Sequence, residues 1–210
     1  MDLDLDLDLD LKFKDNNDNN DNNDNIDNID NNDNNDNIVN QIFYCNFMEF
    51  INRHQTRIQE IKHSYLKLLS NLTETPNIST SLFVENIKEI EKSYGLITIA
   101  YIGDISADGF VKDLNNLDNI NNNFKIIGSG TVILEPKIIR SGKYVGHIED
   151  IVIDPDFRGK YIGQTILSMC KSYCWIKNCY KVILDCDHNL QTFYEKNDFV
   201  LKGIQMAKYF

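Results

Sequence analysis

Gly146–Gly163 reads GHIEDIVIDPDFRGKYIG, and this stretch decides the fold. An acidic pair, Glu149-Asp150, interrupts a β-branched run. A Pro turn and a basic, Gly-containing loop follow, and Lys160–Lys177 then repeats apolar residues at Ile162, Ile166, Met169, Tyr173 and Ile176, the spacing of one helix face. The order is a strand that ends in a loop on a helix N-terminus. Backbone N–H groups and the helix dipole make such a loop a seat for phosphate. Within the strand, Gly142–Ile153, the apolar and charged residues come in couples at Ile148-Glu149-Asp150-Ile151. A slip in a two-residue period predicts a β-bulge there.

Working outward, Tyr180–Cys186 is an apolar run predicted to be a buried strand, and Asn189–Lys196 a short helix. Val200–Phe210 is expected to be a closing strand. Upstream, Gly95–Gly103 and Phe124–Glu135 read as strands. Met48–Asn71 shows apolar residues three or four apart and predicts one or two amphipathic helices, and Ser79–Ser93 predicts another. Ile38–Phe47 is the candidate for a first strand. Strands alternating with helices give an α/β class around a mixed sheet.

The 210 residues carry a net charge of −11, and its distribution is uneven. Residues 1–37 hold thirteen Asp and two Lys, which accounts for the whole of it, so residues 38–210 are neutral. DNNDNN repeats and like-charged alternation in MDLDLDLDLDL leave almost nothing to bury, and this tail is expected to be disordered. An Asn-rich stretch, 113–123, reads as an inserted loop. A neutral domain behind an acidic tail excludes nucleic acid as a partner. No run is long enough for a membrane span, and the start lacks the basic flank and apolar core of a secretory signal. The five cysteines contain no C-x-x-C pair, so a reduced, cytoplasmic setting is expected, with Cys170 and Cys174 as buried helix residues and no metal site.

The central stretch, together with LEPKIIR (134–140) before it and CYKVILDCDHN (179–189) and FYEKNDF (193–199) after it, resembles the GNAT superfamily of acetyl-CoA-dependent N-acetyltransferases. Inside that superfamily it is similar to the glucosamine 6-phosphate N-acetyltransferases of UDP-N-acetylglucosamine synthesis. The close likeness spans Glu135 to Phe199, with weaker echoes back to Thr73. The resemblance implies a central twisted sheet splayed at the bulge, with acetyl-CoA as co-substrate, D-glucosamine 6-phosphate as acceptor and no metal. It also implies a homodimer with shared active sites.

Acetyl transfer from a thioester to an amine needs a pyrophosphate cradle, a polarised carbonyl, an uncharged amine and a proton for the thiolate. Arg158, Gly159, Lys160, Tyr161, Ile162 and Gly163 resemble the superfamily's pyrophosphate loop, with Tyr161 standing where Gly is usual, and Gln164 extends it. Backbone N–H groups around Ile151, Val152 and Ile153 are suited to the carbonyl. The resemblance puts Glu149, Asp150 and Asp185 at the amino sugar, where carboxylates can orient the amine and relay its proton. It gives Tyr194 the protonation of the thiolate and Asn189 a contact with CoA. Lys137, Ile138, Ile139 and Arg140 match a substrate-holding segment, as do Tyr180 and Lys181, the latter pair reaching in from a partner subunit. Thr73 is a further hydroxyl contact. Lys208 stands near the C-terminus where the family has Arg, and offers a point charge in place of a bidentate grip. Two other functions fit a related fold. An enzyme for a polyamine or protein lysine would want an acidic cleft without these cations, and a non-catalytic acyl-CoA-binding module would lack Tyr194 or the loop.

Overall fold

The computed structural model describes residues 41–103 and 124–209. The expectations for the 1–37 tail and the 113–123 loop therefore lie outside the described residues. Five strands form one sheet in chain order: β1 (Ile42–Asn46), β2 (Leu96–Gly103), β3 (Phe124–Pro136), β4 (Tyr144–Ile153) and β5 (Cys179–Ile183). The first four are antiparallel neighbours, and β5 runs parallel to β4. The weak sequence signal at Ile38–Phe47 thus yields a real strand, paired with β2 from Ile42↔Ile102 to Asn46↔Thr98.

Helices cover both faces. On one lie α1 (Phe47–Arg53), α2 (Ile58–Leu69) and α3 (Thr80–Lys92); on the other lies α4 (Ile162–Ile176). Asn46 ends β1 and starts α1 by accepting from the N–H groups of Met48 (2.7 Å) and Glu49 (3.2 Å), and Ser79 caps α3 through Leu82 N (3.1 Å). Adjacent residues of β3 divide the two cores. Ile126 packs with Phe47, Phe50, Ile61 and Tyr65 on the first face, while Ile127 packs with Ile162, Ile166 and Leu167 on the second. This is the alternation expected of a strand buried on both sides.

The bulge forms where the sequence predicts it. Ser129 pairs with Val152 but Thr131 pairs with Glu149, so two steps along β3 match three along β4. Asp150 absorbs the extra residue with φ +53°. The pairing of β4 with β5 stops at His147↔Ile183. Beyond it β4 continues six residues to Ile153 with no β5 partner, and the sheet splits. The same divergence ends β5 at Ile183, short of the predicted Cys186.

Two expectations fail. β5, expected to be buried, is an edge strand with no buried residue and an exposed Lys181. Val200–Tyr209 is not a strand but an irregular, exposed segment bent at Gly203, with Ile204 and Met206 each 93% and Tyr209 92% accessible. Its apolar residues suit a strand, yet it pairs with no strand among the described residues. At Gly142, the expected start of β4 is a 3₁₀ turn, where Arg140, Ser141 and Gly142 all have positive φ.

Candidate active site

The split between β4 and β5 gathers most of the predicted residues. Its floor is the stretch Ile148–Ile153, paired with β3 but not with β5, whose Ile151 side chain turns to α4 and whose Val152 turns to α2. At its end Asp154 N–H donates to Ile127 O (2.8 Å), and Asp154 caps a 3₁₀ turn, Pro155–Phe157. Arg158 then folds back so that Nε donates to Ile153 O (3.4 Å).

The loop reaches α4 through Gly159 at φ +77° and Tyr161 at φ +61°, ψ +5°. Tyr161 is the N-cap of α4 and no side chain caps that helix, so its first-turn N–H groups stay open toward the loop. Lys160 Nζ lies 4.8 Å from the centre of the Phe157 ring. Ile162 is buried beneath, and Gln164 stands exposed on the first turn. A Cβ added to Gly163 would touch Ile153 Cγ1 at 3.5 Å and Phe193 Cζ at 3.6 Å. The strand end, the loop and the next helix thus meet around Gly163 at ordinary contact distance.

That helix, α5 (Gln191–Glu195), follows a 3₁₀ turn at His188–Leu190 that carries the exposed Asn189. Its Tyr194 is only 8% accessible, edge-on to Phe193 (5.0 Å) and Phe199 (6.0 Å). Burial pushes the phenol above its ordinary pKa, and the nearby Cys186 adds to the shift. The group stays a proton donor through neutral pH.

Carboxylates line the vertex of the split. Glu149 is held above the ordinary carboxylate range, first by partial burial and then by Asp150 and Asp185, while His147 pulls the other way. Asp185, just past β5, accepts from Gln205 Nε2 at 2.7 Å. Beneath the bulge the Tyr65 hydroxyl meets Ser129 Oγ at 3.1 Å, and the negative charge of Asp150 bears on that buried phenol.

The predicted cations are more dispersed. Lys137 pairs with Glu135, and Lys181 is exposed on β5. Arg140 stacks its guanidinium 5.6 Å from the Tyr180 ring centre, which joins the two sequence-predicted substrate segments within one chain. Ile138 and Ile139 are exposed in the β3–β4 turn, Thr73 lies in the exposed segment after α2, and Lys208 lies in the extended C-terminal segment. Two neighbours of the carboxylates escaped the sequence reading. His147 precedes Glu149 by two residues, so strand alternation puts both on one face. Glu135 reaches His147 only through the β3–β4 register.

The profile of the Acetyltransferase (GNAT) family matches residues 101–199. Glucosamine 6-phosphate N-acetyltransferase of Arabidopsis thaliana is 34% identical over 153 residues, covering 73% of this chain and 92% of the relative. The enzyme of the same name from Trypanosoma brucei brucei is 33% identical over 68% of this chain and 85% of its own length. The crystal structure of the Arabidopsis glucosamine-6-phosphate N-acetyltransferase superposes with a TM-score of 0.62 at 29% identity, covering 81% of this chain and 99% of that one.

Proposed function

The chain belongs to the glucosamine 6-phosphate N-acetyltransferase family of GNAT acetyltransferases, and on that premise we propose that it transfers acetyl from acetyl-CoA to the 2-amino group of D-glucosamine 6-phosphate. The products are CoA and N-acetyl-D-glucosamine 6-phosphate, a precursor for UDP-N-acetylglucosamine. The observation that carries this reading is the split sheet: six β4 residues without a β5 partner lead into a loop and an uncapped α4 N-terminus, and a buried tyrosine stands on the short helix that follows β5.

Acetyl-CoA supplies an activated thioester. Arg158 to Gln164 suit its pyrophosphate, since the open N–H groups of α4 and the Gly159–Tyr161 turn form an anion nest beside Arg158 and Lys160. Asn189 adds a polar contact from the turn before α5. Backbone N–H groups of Ile151 to Ile153 that face away from β3 suit the acetyl oxygen as charge grows on it.

Glu149 and Asp185, with Asp150 on the bulge, orient the sugar amine and take up its proton through water. The amine attacks directly in a ternary complex, the C–N bond forming as the C–S bond breaks, and Tyr194 protonates the departing sulfur. Lys137, Arg140, Lys181 and Lys208 are the phosphate cations, with Thr73, Ile138, Ile139 and Tyr180 completing the sugar site.

A homodimer fits the exposed C-terminal segment, because Ile204, Met206 and Tyr209 leave apolar surface that a second copy would cover. Five free thiols suit a reducing compartment such as the cytoplasm.

Initial rates of CoA release with glucosamine 6-phosphate, glucosamine and spermidine as acceptors test the assignment. Turnover confined to the phosphorylated sugar is expected. Turnover with spermidine alone would move the substrate to the polyamines, and acetyl-CoA binding without any turnover would leave a non-catalytic module.

A further inference from the structure

We propose that His147, held by Glu135, is a positioning residue for the transfer: it stands on the face of β4 that carries Glu149 and sets the surroundings of that carboxylate at the vertex of the split where the amine docks. The inference rests on the acetyl-transfer reading and deepens it.

The argument starts from register. Ile133 pairs with His147 and Glu135 with Val145, so Glu135 and His147 are diagonal neighbours across β3 and β4. The imidazole Nε2 lies 3.1 Å from Glu135 Oε2, and the other oxygen of that carboxylate takes Lys137. A carboxylate anchored by a lysine thus fixes one face of the ring. His147 is also the last β4 residue with a β5 partner. Gly146 and Ile148 turn toward α4, against Cys174 and the α4-side core, so His147 and Glu149 share the opposite face.

Several charged groups surround the pair. From β3 and its following turn come Glu135 and Lys137, and from β4 Glu149 and Asp150. Lys181 lies in β5, opposite Val145, and Asp185 follows the strand. Tyr65 approaches Asp150 from α2. Three carboxylates therefore converge on the vertex. Asp150 and Asp185 both disfavour a charge on Glu149, while His147 favours it. Glu149 grips the amine best as a carboxylate, and the imidazole on the same face of β4 favours that charge. Glu135 holds that imidazole in place.

The test is the pH dependence of kcat/KM for glucosamine 6-phosphate between pH 5 and 9, for the wild-type protein, H147Q, H147K and E135Q. Each variant's thermal melt is recorded alongside. Titration of the substrate amine is common to all four and cancels in the comparison. Removing the imidazole charge raises the pKa of Glu149, so the acid limb moves to higher pH. H147Q is expected to lose more of its kcat/KM at the acid end of this range than at pH 8.5. H147K should bring the limb back toward wild type, and E135Q should move it in the same direction as H147Q by less. An equal loss at every pH, or an acid limb unmoved in H147Q and E135Q, would overturn the proposal. If H147Q does not fold, E135Q alone decides by the same criterion. No turnover by the wild-type protein would overturn the substrate reading instead, and the role of His147 with it.

Discussion

Tyr161 tests the pyrophosphate loop directly. It occupies φ +61°, ψ +5° at the head of α4, a left-handed conformation that costs an L-residue roughly 1 kcal/mol and a glycine almost nothing. The side chain is 78% accessible, so its ring contributes little burial. Two replacements separate backbone from ring. Tyr161→Ala removes the ring and keeps the strain; Tyr161→Gly removes both. Glycine gives back part of the gain through the greater freedom of its unfolded chain, roughly 0.5 kcal/mol. The glycine variant should still exceed the alanine variant by about 0.5–1 kcal/mol in urea unfolding, or up to about 3 °C in melting for a domain of this size. Acetyl-CoA affinity, measured by calorimetry, should be as high in the glycine variant as in the wild type. An alanine variant as stable as the glycine variant would refute the left-handed geometry, and with it the nest built on this loop.

Tyr194→Phe keeps the edge-on contacts with Phe193 and Phe199 and removes only the hydroxyl. Its melting temperature should change little while kcat falls about 10²–10³-fold, and full turnover would dismiss the tyrosine as the acid. Because burial raises the phenol, the wild-type rate should show no loss of this proton below pH 10. A Cβ at Gly146 would lie 2.4 Å from Cys174 Sγ, so Gly146→Ala should cost roughly 1–3 kcal/mol, and adding Cys174→Ala should recover much of it; additive losses in chemical denaturation would contradict that contact. Glu149 binds its proton more tightly folded than unfolded, so its ionisation destabilises the fold as pH rises through the unfolded value, about 4.3. Glu149→Gln should therefore melt above wild type at pH 7, with the difference vanishing below about pH 4, while catalysis is lost. Deleting residues 200–210 should convert a dimer to a monomer in analytical ultracentrifugation; a truncated chain that stays dimeric would place the interface elsewhere.

Much of this was legible in the sequence because it is local. The paired slip at Ile148–Ile151 exposed the bulge, and the Arg158–Gly163 loop announced the head of α4, since both follow from short periods and turn chemistry. The end of β4–β5 pairing at His147 was not readable from spacing, because two strands of suitable composition do not reveal how far they run together. The closing strand was misjudged for the same reason: Ile204 and Met206 have strand character, but a strand also needs a neighbour. Glu135 and His147 lie twelve residues apart and meet only through antiparallel register. The Arg140–Tyr180 stack joins a turn to a strand forty residues later and depends on the same sheet.

The most direct measurement is proton NMR of acetyl-CoA and glucosamine 6-phosphate incubated with the protein. A new N-acetyl methyl signal on the 2-amino group, growing in step with free CoA and far more slowly with Tyr194→Phe, is the expected result. Free CoA accompanied by acetate, with no acetylated sugar, would contradict transfer at the split between β4 and β5.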